Sequence, residues 1–409
     1  MYSEKNVSNF YNVENNKTFI NWEAMDKEYL WLQKLRGGYI TDYMKNKGEC
    51  WMQDPYYHAE GSVWIHTKMV LDQLTSNPAW YNLSEEEQFI LFNAASLHDV
   101  CKPETYSNEN GRISNKGHSE MGANEARIIL WHQNVPFNIR EHICNIINIH
   151  QLPFYVMNGK EDRMRYIAIK ASLSMSNKLL CMMAKADITG RIILPDANHN
   201  AQETLDNIEL YEEYTKELGC YDQPYAFFNE HTKRQYFIDY ENKLPNVELY
   251  DILNDDFTVY IMSGLPASGK STWVSQQDLP VIEMDSIRIE MNIKQDDNQG
   301  VVRQEALKRA KILLAKKQSF IWDGVNLDIN RRTTLIDLAC AYGAKVKTVY
   351  LETDFKTMME RNKSRDFDRV PDRVIQKMLH QWTPPTLDEC HDNIVCIGNE
   401  CEYEKGFKI

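Results

Sequence analysis

Residues 258–271 read Thr258-Val-Tyr-Ile-Met-Ser263-Gly264-Leu-Pro-Ala-Ser-Gly269-Lys270-Ser271, which is an apolar run followed by a glycine-rich loop. The loop fits the pattern G-x-x-x-x-G-K-[ST] completely and follows a predicted strand, as the pattern requires. Its glycines allow backbone N–H groups to surround phosphates, and its lysine supplies positive charge toward the β- and γ-phosphates. The alternative is an ordinary strand–helix turn, which is disfavoured because every fixed position matches.

We therefore expect this loop to bind ATP or another nucleoside triphosphate, with Mg²⁺ held by the Ser271 hydroxyl. The expected contacts come from the loop and the first helical turn after it: Gly264, Ser268, Gly269, Lys270, Ser271 and Thr272. NTPases and kinases share such a loop, so elements farther along the chain must distinguish them.

Around this loop, short apolar runs alternate with amphipathic stretches of helical length. The predicted strands are 258–263, 280–284, 319–322, 345–351 and 393–397. This alternation predicts an α/β domain whose parallel sheet is covered by helices on both faces.

The N-terminal half has a different pattern. Apolar residues recur at three- and four-residue spacing from about 22 to 217, most clearly in 85–97, 119–132, 139–150 and 167–187. This periodicity predicts an all-α domain. We expect a helical domain at 1–245, a linker at 246–256 and the α/β domain at 257–409.

Composition limits the classes of function. The 409 residues predict two or three domains, and the net charge of −13 means that a phosphate polymer would be bound by local basic patches. No apolar run is long enough to span a bilayer, and the start of the chain lacks the features of a signal peptide. The nine cysteines include no C-x-x-C pair, which favours reduced thiols in a cytoplasmic protein.

Several charged and polar residues follow the loop in order. Asp285 ends the second predicted strand and Arg288 follows one helical turn later, so an Asp that accepts a proton and an Arg that binds phosphate would share a face. A helix cap with an exposed arginine explains the spacing equally well. Asp323 ends the third strand, three residues before Asn326.

Arg361 and Arg365 lie four residues apart, and on one helix face they could close over a transferring phosphoryl group. A solvated charged helix is the alternative for this pair. For Arg331-Arg332 we prefer a solvated helix start to a phosphate contact.

In this order, the elements resemble the 5′-hydroxyl polynucleotide kinases over most of 257–382. The matching motifs are G-x-x-x-x-G-K-S-T-W from Gly264, D-x-x-R from Asp285, D-x-x-N from Asp323 and R-N-x-x-R from Arg361, followed by Val370-Pro371. The resemblance implies that Asp285 is the general base for the 5′-hydroxyl and that Arg288 binds the acceptor's 3′-phosphate. It implies that Arg361 and Arg365 contact the donor phosphates, with Lys270 stabilising the transferred group and Asp323 and Asn326 on the substrate side.

The helical half contains six candidate metal ligands. They are His66, His98, Asp99, His118, His150 and Asp187. Imidazoles with carboxylates suit Mn, Fe, Co, Ni or Zn, and two bridged ions would lower the pKa of a shared water from ~15.7 toward ~7. Lys102, one turn after His98, could add charge to a leaving phosphate. Taken singly, each histidine is more often a surface or capping residue, and seven of the eleven stay unassigned.

This series resembles the HD-domain phosphohydrolases over about 60–195. The resemblance implies one metal held by His66, His98, Asp99 and Asp187, and a second held by Asp99, His118 and His150. The second ion is absent from one-metal members of that family.

Together the halves resemble the bifunctional HD and polynucleotide-kinase enzymes of RNA repair. Such an enzyme removes a 2′- or 3′-phosphate, including a cyclic one, and phosphorylates a 5′-hydroxyl on RNA or DNA ends. No K-x-D-G motif is present, so sealing would need a separate ligase. Two other hypotheses stay open: a small-molecule kinase fused to a nucleotidase, and an HD hydrolase regulated by a nucleotide-sensing loop.

Overall fold

The computed structural model describes residues 10–25, 27, 52–195, 197, 200–243, 257–293, 299–365 and 369–403. These residues form two compact units, of which the first ends at Tyr225 and the second begins at Ala226. The expected linker at 246–256 lies outside the described residues.

The first unit is helical and surrounds one apolar core. Its α-helices are α1 (Val63–Ser76), α2 (Glu85–Leu97), α3 (His118–His132), α4 (Phe137–Ile149), α5 (Glu161–Ser172), α6 (Asn177–Thr189) and α7 (Ala201–Glu217). Short 3-10 helices lie at Pro78–Asn82, Leu152–Phe154 and Val156–Asn158. The sequence sets helix starts locally: Ser84 and Glu87 form a reciprocal capping box at the start of α2.

Two details of this unit differ from the sequence prediction. The expected helix at 167–187 is two helices, because the chain leaves α5 at Ser172 and Ser176 then caps α6. The all-α prediction also omits two hairpins, β1 (Tyr11–Glu14) with β2 (Lys17–Ile20) and β3 (Ser107–Glu109) with β4 (Arg112–Ser114). Their two-residue turns use left-handed backbone, as at Asn110-Gly111, and this Asn-Gly pair is a hairpin signal in the sequence.

The second unit is an α/β fold. Its strands are β5 (Thr258–Ser263), β6 (Val281–Glu283), β7 (Phe320–Asp323), β8 (Lys345–Glu352), β9 (Asp392–Ile397) and β10 (Glu400–Tyr403). Its helices are α8 (Glu230–Glu241), α9 (Lys270–Ser275), α10 (Met284–Glu290), α11 (Gln299–Ala315), α12 (Ile329–Ala341), α13 (Phe355–Lys363) and α14 (Asp372–Leu379).

The strand order is β10-β9-β8-β5-β7-β6, and only β10 pairs antiparallel among these strands. The five predicted strands and their parallel pairing are thus confirmed, and β10 is an addition. Alternate residues of β5 enter separate apolar clusters: Val259 and Ile261 pack in one, and Met262 packs near Trp273 in the other. Strands β5 and β7 are neighbours, so the loops at their carboxyl ends lie side by side.

Helix α8 belongs to the α/β unit, although the sequence analysis assigned it to the helical domain. Lys233 Nζ donates to His391 O at 3.0 Å, and Arg234 pairs with Asp337 of α12 at 3.1 Å. Tyr236 and Phe237 are buried. Helical periodicity is the same in either unit, so the sequence pattern could not assign this helix.

The expectation of reduced thiols is wrong for one pair. Cys396 of β9 and Cys401 of β10 are register partners and are joined by a disulfide. Their sequence separation carries no C-x-x-C signal. Among helices in the described part of the chain, none is long and apolar enough to cross a bilayer.

Candidate nucleotide and metal sites

The loop between β5 and α9 has the backbone that phosphate binding requires. Gly264 has φ 148°, and a Cβ there would clash with the Leu351 carbonyl oxygen. Gly269 precedes α9 with φ 105°, also in the region that favours glycine. The Ser268 hydroxyl is buried and has no hydrogen-bond partner among the described residues. This backbone conformation and the hydroxyl without a partner are suited to binding the phosphate groups of a nucleotide.

Lys270 folds back over the loop. Its ammonium donates to the carbonyl oxygens of Gly264 and Leu265, both at 2.8 Å. Burial lowers the pKa of Lys270 to about 8, although the negative charge of Asp323 opposes that shift. The positive charge of Arg365 also lowers this pKa, so the two predicted donor-phosphate groups act on each other electrostatically.

Asp285 and Arg288 form an ion pair at the edge of this loop. Strand β6 ends at Glu283, so Asp285 lies in the first turn of α10 and not at the strand end as expected. Arg288 Nη2 is 2.6 Å from Asp285 Oδ1, which confirms the shared helix face. Asp285 is 69% exposed and its charge acts on both Lys270 and Asp323, so it is accessible and near the phosphate loop.

Asp323 ends β7 as predicted, and burial raises its pKa to about 6 against the lowering effect of Lys270. The side chain of Asn326 makes a hydrogen bond to strand β5, since its Nδ2 donates to Met262 O at 2.7 Å. The assignment of both residues to the substrate side stays a prediction.

The two arginines of the R-N-x-x-R motif are not on one helix. Helix α13 ends at Lys363 and Ser364 caps it, so Arg365 lies beyond the helix while exposed Arg361 is in its last turn. The motif's asparagine has a clear structural part: Asn362 donates to Val370 O and accepts from Val370 N, at 2.8 and 3.0 Å. These two bonds hold Val370 beside Asn362.

Arg332 is neither a solvated residue nor a phosphate contact. It is fully buried and makes a bidentate pair with Glu389 at 2.7 and 2.8 Å. Its Nη1 also donates to the carbonyl oxygens of Asn326 and Thr383. Arg332 therefore ties α12 to the loop after β7 and to the chain before β9.

In the helical unit, the six predicted ligands converge. His66 Nε2 is 3.1 Å from Asp187 Oδ1 and 3.7 Å from Asp99 Oδ2. Asp99 also approaches His98 Nε2 at 3.2 Å and His118 Nε2 at 3.4 Å. His150 Nε2 is 3.9 Å from Asp187 Oδ2. The residues come from α1, α3, α6 and the ends of α2 and α4, so helix packing assembles the cluster. His142, eight residues before His150, instead accepts a bond from Ser176 N in the core.

The four histidines share one orientation. Each has its Nδ1 at hydrogen-bond distance from a backbone carbonyl oxygen, at Gly190 for His66, Ala95 for His98, Asn115 for His118 and Ile147 for His150. Because a carbonyl only accepts, Nδ1 carries the proton and, in a neutral ring, Nε2 presents its lone pair to the carboxylates. Hydrogen bonds of this type, made by the ring nitrogen that faces away from the metal, orient histidines toward metals.

Five buried polar atoms at the centre have no hydrogen bond within the described residues. They are His98 Nε2, both carboxylate oxygens of Asp99, His150 Nε2 and Asp187 Oδ2. Lys102 Nζ lies 2.6 Å from Asp99 Oδ2, an ion pair and not a directed hydrogen bond. Lone pairs that face each other in a buried site are unfavourable unless a cation lies between them. The donor set therefore fits a divalent metal.

The ionisation states agree with this fit. Burial raises the pKa of Asp99, but His98 and Lys102 outweigh it and hold the pKa well below its usual value. Burial is likewise outweighed at Asp187, by Arg191 and His66, so its pKa is low. Burial lowers the pKa of His150 to about 3. The carboxylates are therefore anionic and His150 is neutral, as metal binding needs, whereas burial at His66 is outweighed by Asp187 and Glu60, which raise its pKa, so a metal would displace a proton from that ring.

Three further residues contact this cluster, and the sequence did not predict them. Glu60 Oε1 lies 3.1 Å from His66 Nδ1 and 2.8 Å from His58 Nδ1, and its Oε2 accepts from Ile192 N. Arg191 pairs with Asp187 Oδ1. Gln53 accepts from Lys102. Arg191 could have been found by its four-residue spacing from Asp187 on a helix, whereas the loop residues Gln53 and Glu60 have no such signal.

Comparisons with known proteins concern mainly the second unit. Residues 259–385 match the family model described as "AAA domain". An L-seryl-tRNA(Sec) kinase of Methanococcus maripaludis is 25% identical over 134 residues, which cover 31% of this chain and 52% of that protein. This chain thus spans about half the length of that curated relative. The crystal structure of a sugar kinase from Janibacter sp. HTCC2649 aligns at 20% identity with a TM-score of 0.26, over 34% of this chain and 84% of that chain. The second unit therefore contains a kinase-type P-loop domain.

Proposed function

We propose that the chain has two activities on nucleic-acid ends: an ATP-dependent 5′-hydroxyl polynucleotide kinase and a metal-dependent phosphohydrolase that removes 2′- or 3′-phosphates. The observation that carries the kinase half is the exposed Asp285–Arg288 ion pair, whose carboxylate acts electrostatically on Lys270. A loop that only binds nucleotide does not need an exposed carboxylate that acts on its lysine. A kinase needs a group that accepts the proton of the acceptor.

In this proposal Asp285 accepts the proton of the 5′-hydroxyl while that oxygen bonds to the γ-phosphorus. The bond from the γ-phosphorus to the bridging oxygen breaks, and the nucleoside diphosphate leaves. Lys270 and Arg365 stabilise the charge on the transferred group, and Arg288 holds the acceptor's phosphate next to the base. Ser271, at the exposed start of α9, would hold Mg²⁺.

The printed name of the archaeal relative supports an acceptor of this class. A seryl-tRNA kinase phosphorylates a hydroxyl carried on RNA, and its alignment with this chain favours a nucleic-acid acceptor over a free small molecule. Arg361 stays a proposed donor-phosphate contact.

The phosphohydrolase half rests on the five buried atoms without hydrogen bonds at the histidine and aspartate cluster. His66, His98, Asp99 and Asp187 would hold one divalent ion, and Asp99, His118 and His150 a second. Such ions, for which Mn, Fe, Co, Ni and Zn are candidates, supply positive charge and activate water for phosphoester hydrolysis. Lys102 and Arg191 place two further positive charges at the cluster. These charges favour an anionic substrate.

The two reactions complement each other chemically. Ligation requires a 3′-hydroxyl and a 5′-phosphate, so one chain would prepare both ends of a broken RNA or DNA strand for a separate ligase.

The test is an RNA oligomer with a 5′-hydroxyl and a 3′-phosphate, incubated with the protein, ATP, Mg²⁺ and a panel of transition metals. Analysis of both termini by mass spectrometry should show a gain of phosphate at the 5′ end and its loss at the 3′ end. Free nucleosides phosphorylated as efficiently as the oligomer would contradict the polynucleotide assignment. Nucleotide binding without any transfer would instead indicate a sensor.

A further inference from the structure

A polar cleft lies next to the histidine and aspartate cluster within the helical unit. Its volume is about 710 Å³. Its walls come from the 3-10 helices after His150 and from the first half of α7, and we define the polar cleft by Gln151, Tyr155, Asn158, Arg191, Glu203 and Asn207. Helix α7 lies in the segment to which the sequence analysis gave no role.

Two residues connect the polar cleft with the cluster. Arg191 lines the cleft, pairs with Asp187 Oδ1 and places its guanidinium 5.5 Å from the ring centroid of Phe154. Gln151 lines the cleft directly after the predicted ligand His150. A molecule in the cleft would therefore have one end at Arg191, beside the cluster.

Most polar side chains of the cleft walls are uncharged and end in planar groups. Gln151, Asn158 and Asn207 carry carboxamides, which offer paired donors and acceptors of the kind that recognise base edges. Tyr155 is 56% exposed and offers a ring for stacking. Among the described lining residues Arg191 is the one cation, and it already pairs with Asp187, so these residues do not form the basic lining that a run of backbone phosphates needs.

Some of these groups are already held in place. Asn207 Nδ2 donates to Phe154 O at 3.0 Å, which fixes α7 against the opposite wall. The size also limits the occupant, because about 300–1,000 Å³ is typical of sites for small organic ligands. A cleft of this volume exceeds what an inorganic phosphate or a metal ion alone would fill.

We propose that the polar cleft binds the nucleoside of a terminal nucleotide, with the sugar phosphate directed past Arg191 toward the histidine and aspartate cluster. This proposal rests on the phosphohydrolase function proposed above and assigns its substrate-binding residues. Tyr155 stacks on the base, and Gln151 with Asn158 contacts base or ribose edges. Both a strand end and a free nucleotide offer this chemistry, and we assign the strand end.

The experiment measures binding separately from catalysis. Adenosine 3′-monophosphate and a 3′-phosphorylated trinucleotide are titrated into metal-depleted full-length protein by calorimetry. The variants are Tyr155→Ala and Gln151→Ala, and the control is Gln202→Ala, an exposed α7 residue outside the cleft that bonds Asp206. Circular dichroism verifies that each variant is folded. p-Nitrophenyl phosphate, hydrolysed in the presence of Mn²⁺, serves as a substrate that has no nucleoside.

We expect Tyr155→Ala to weaken binding of adenosine 3′-monophosphate roughly tenfold, as loss of a stacking partner does. Gln151→Ala should weaken it less, and Gln202→Ala should leave it unchanged. Turnover of p-nitrophenyl phosphate should be the same in Gln202→Ala as in the wild-type protein, which shows that the control variant keeps an intact cluster. Unchanged nucleotide affinity in both cleft variants would overturn the proposal, as would a wild-type protein that does not bind the nucleotide.

Two further outcomes separate the assignments. A trinucleotide that binds at least as tightly as the mononucleotide supports a strand end, and a trinucleotide that does not bind overturns that choice. If no metal yields hydrolysis of any phosphoester, the proposed function fails. In that case, a loss of binding in Tyr155→Ala would still support the cleft as a nucleoside site.

Discussion

The helical unit collects its candidate site from the ends and faces of five helices, whereas the P-loop unit takes most of its site from one continuous segment. The carboxylates and imidazoles of the first site are nearly fully buried, with His118 the most exposed at 8%. In the second site Asp285 is 69% exposed and much of the binding surface is backbone. Buried polar side chains need a partner, whereas the exposed carboxylate of Asp285 can be hydrated until a substrate binds.

The two sites therefore place different requirements on the amino-acid sequence. The buried cluster needs side chains of fixed charge and tautomer, so a change in one residue alters the whole electrostatic balance. The loop needs glycine conformations, with a few charged groups added at its edge. The following predictions are ordered from the largest expected effect to the smallest. They test whether the two sites differ in this way and function independently.

Asp285→Ala should lower the rate of phosphoryl transfer to a 5′-hydroxyl by ~10²–10⁴-fold, the usual contribution of a general base. ATP affinity should stay within about twofold, because Asp285 is not part of the loop backbone. Transfer is measured with labelled ATP and a 5′-hydroxyl oligomer, and Asp278→Ala is the control at an exposed carboxylate elsewhere in the same unit. Full transfer activity in Asp285→Ala would remove the base assignment.

Asp99→Asn should weaken binding of Mn²⁺ or Co²⁺ by at least about 100-fold, more than the loss of an outer partner typically costs. The reason is that Asp99 approaches three of the histidines and carries the charge that balances Lys102. Calorimetry with metal-depleted protein gives the affinity, and Asp206→Asn is the control on α7. Kinase activity should not change; a parallel loss of transfer would contradict independence.

Glu60→Gln should weaken metal binding by ~10–100-fold, as expected for a residue that orients a ligand. Of the two ring nitrogens of His66, Glu60 approaches Nδ1, which faces away from the carboxylates, so it acts as a positioning residue. The d–d absorption of bound Co²⁺ should shift as His66 changes basicity, which a purely structural role would not produce. An unchanged spectrum with unchanged affinity would assign Glu60 to folding alone.

ATP affinity should fall by up to about tenfold per pH unit above pH 8. The pKa of Lys270 in the free protein is about 8, so the ammonium is charged below that pH and must regain a proton to bind phosphate above it. Lys270→Arg should flatten this profile, because its guanidinium stays charged throughout. Fluorescence titrations with a nucleotide analogue from pH 6.5 to 9.5 measure it, and a flat wild-type profile would contradict the assignment.

The same contrast explains what the sequence could predict. The loop at 264–271 is local, so its pattern, the strand before it and the helix after it follow from adjacent residues. The Asp285–Arg288 pair follows from helix geometry in the same way. For the histidine and aspartate cluster, the residues are spread over more than 120 positions and no spacing rule joins them. Their order could be interpreted only through resemblance to a known family.

Other features depended on long-range packing. Arg332 looks like a surface residue in sequence because it follows Arg331, yet Glu389, 57 residues away, provides the partner that buries it. Glu60 lies in a loop without periodicity, so its position beside His66 appears only in the folded chain. The division of 167–187 into two helices depends on Ser176 as an N-cap. Apolar periodicity alone does not detect such a cap.

The location of α8 determines where the chain can be cut. A protein truncated to begin at Phe257 would contain the complete glycine-rich loop, but it would lose α8, whose Tyr236 and Phe237 are buried. It would also lose the bond from Lys233 to His391 next to β9. A fragment prepared to study phosphoryl transfer alone should therefore start near Ala226, thirty-one residues upstream of where strand prediction would place its first residue.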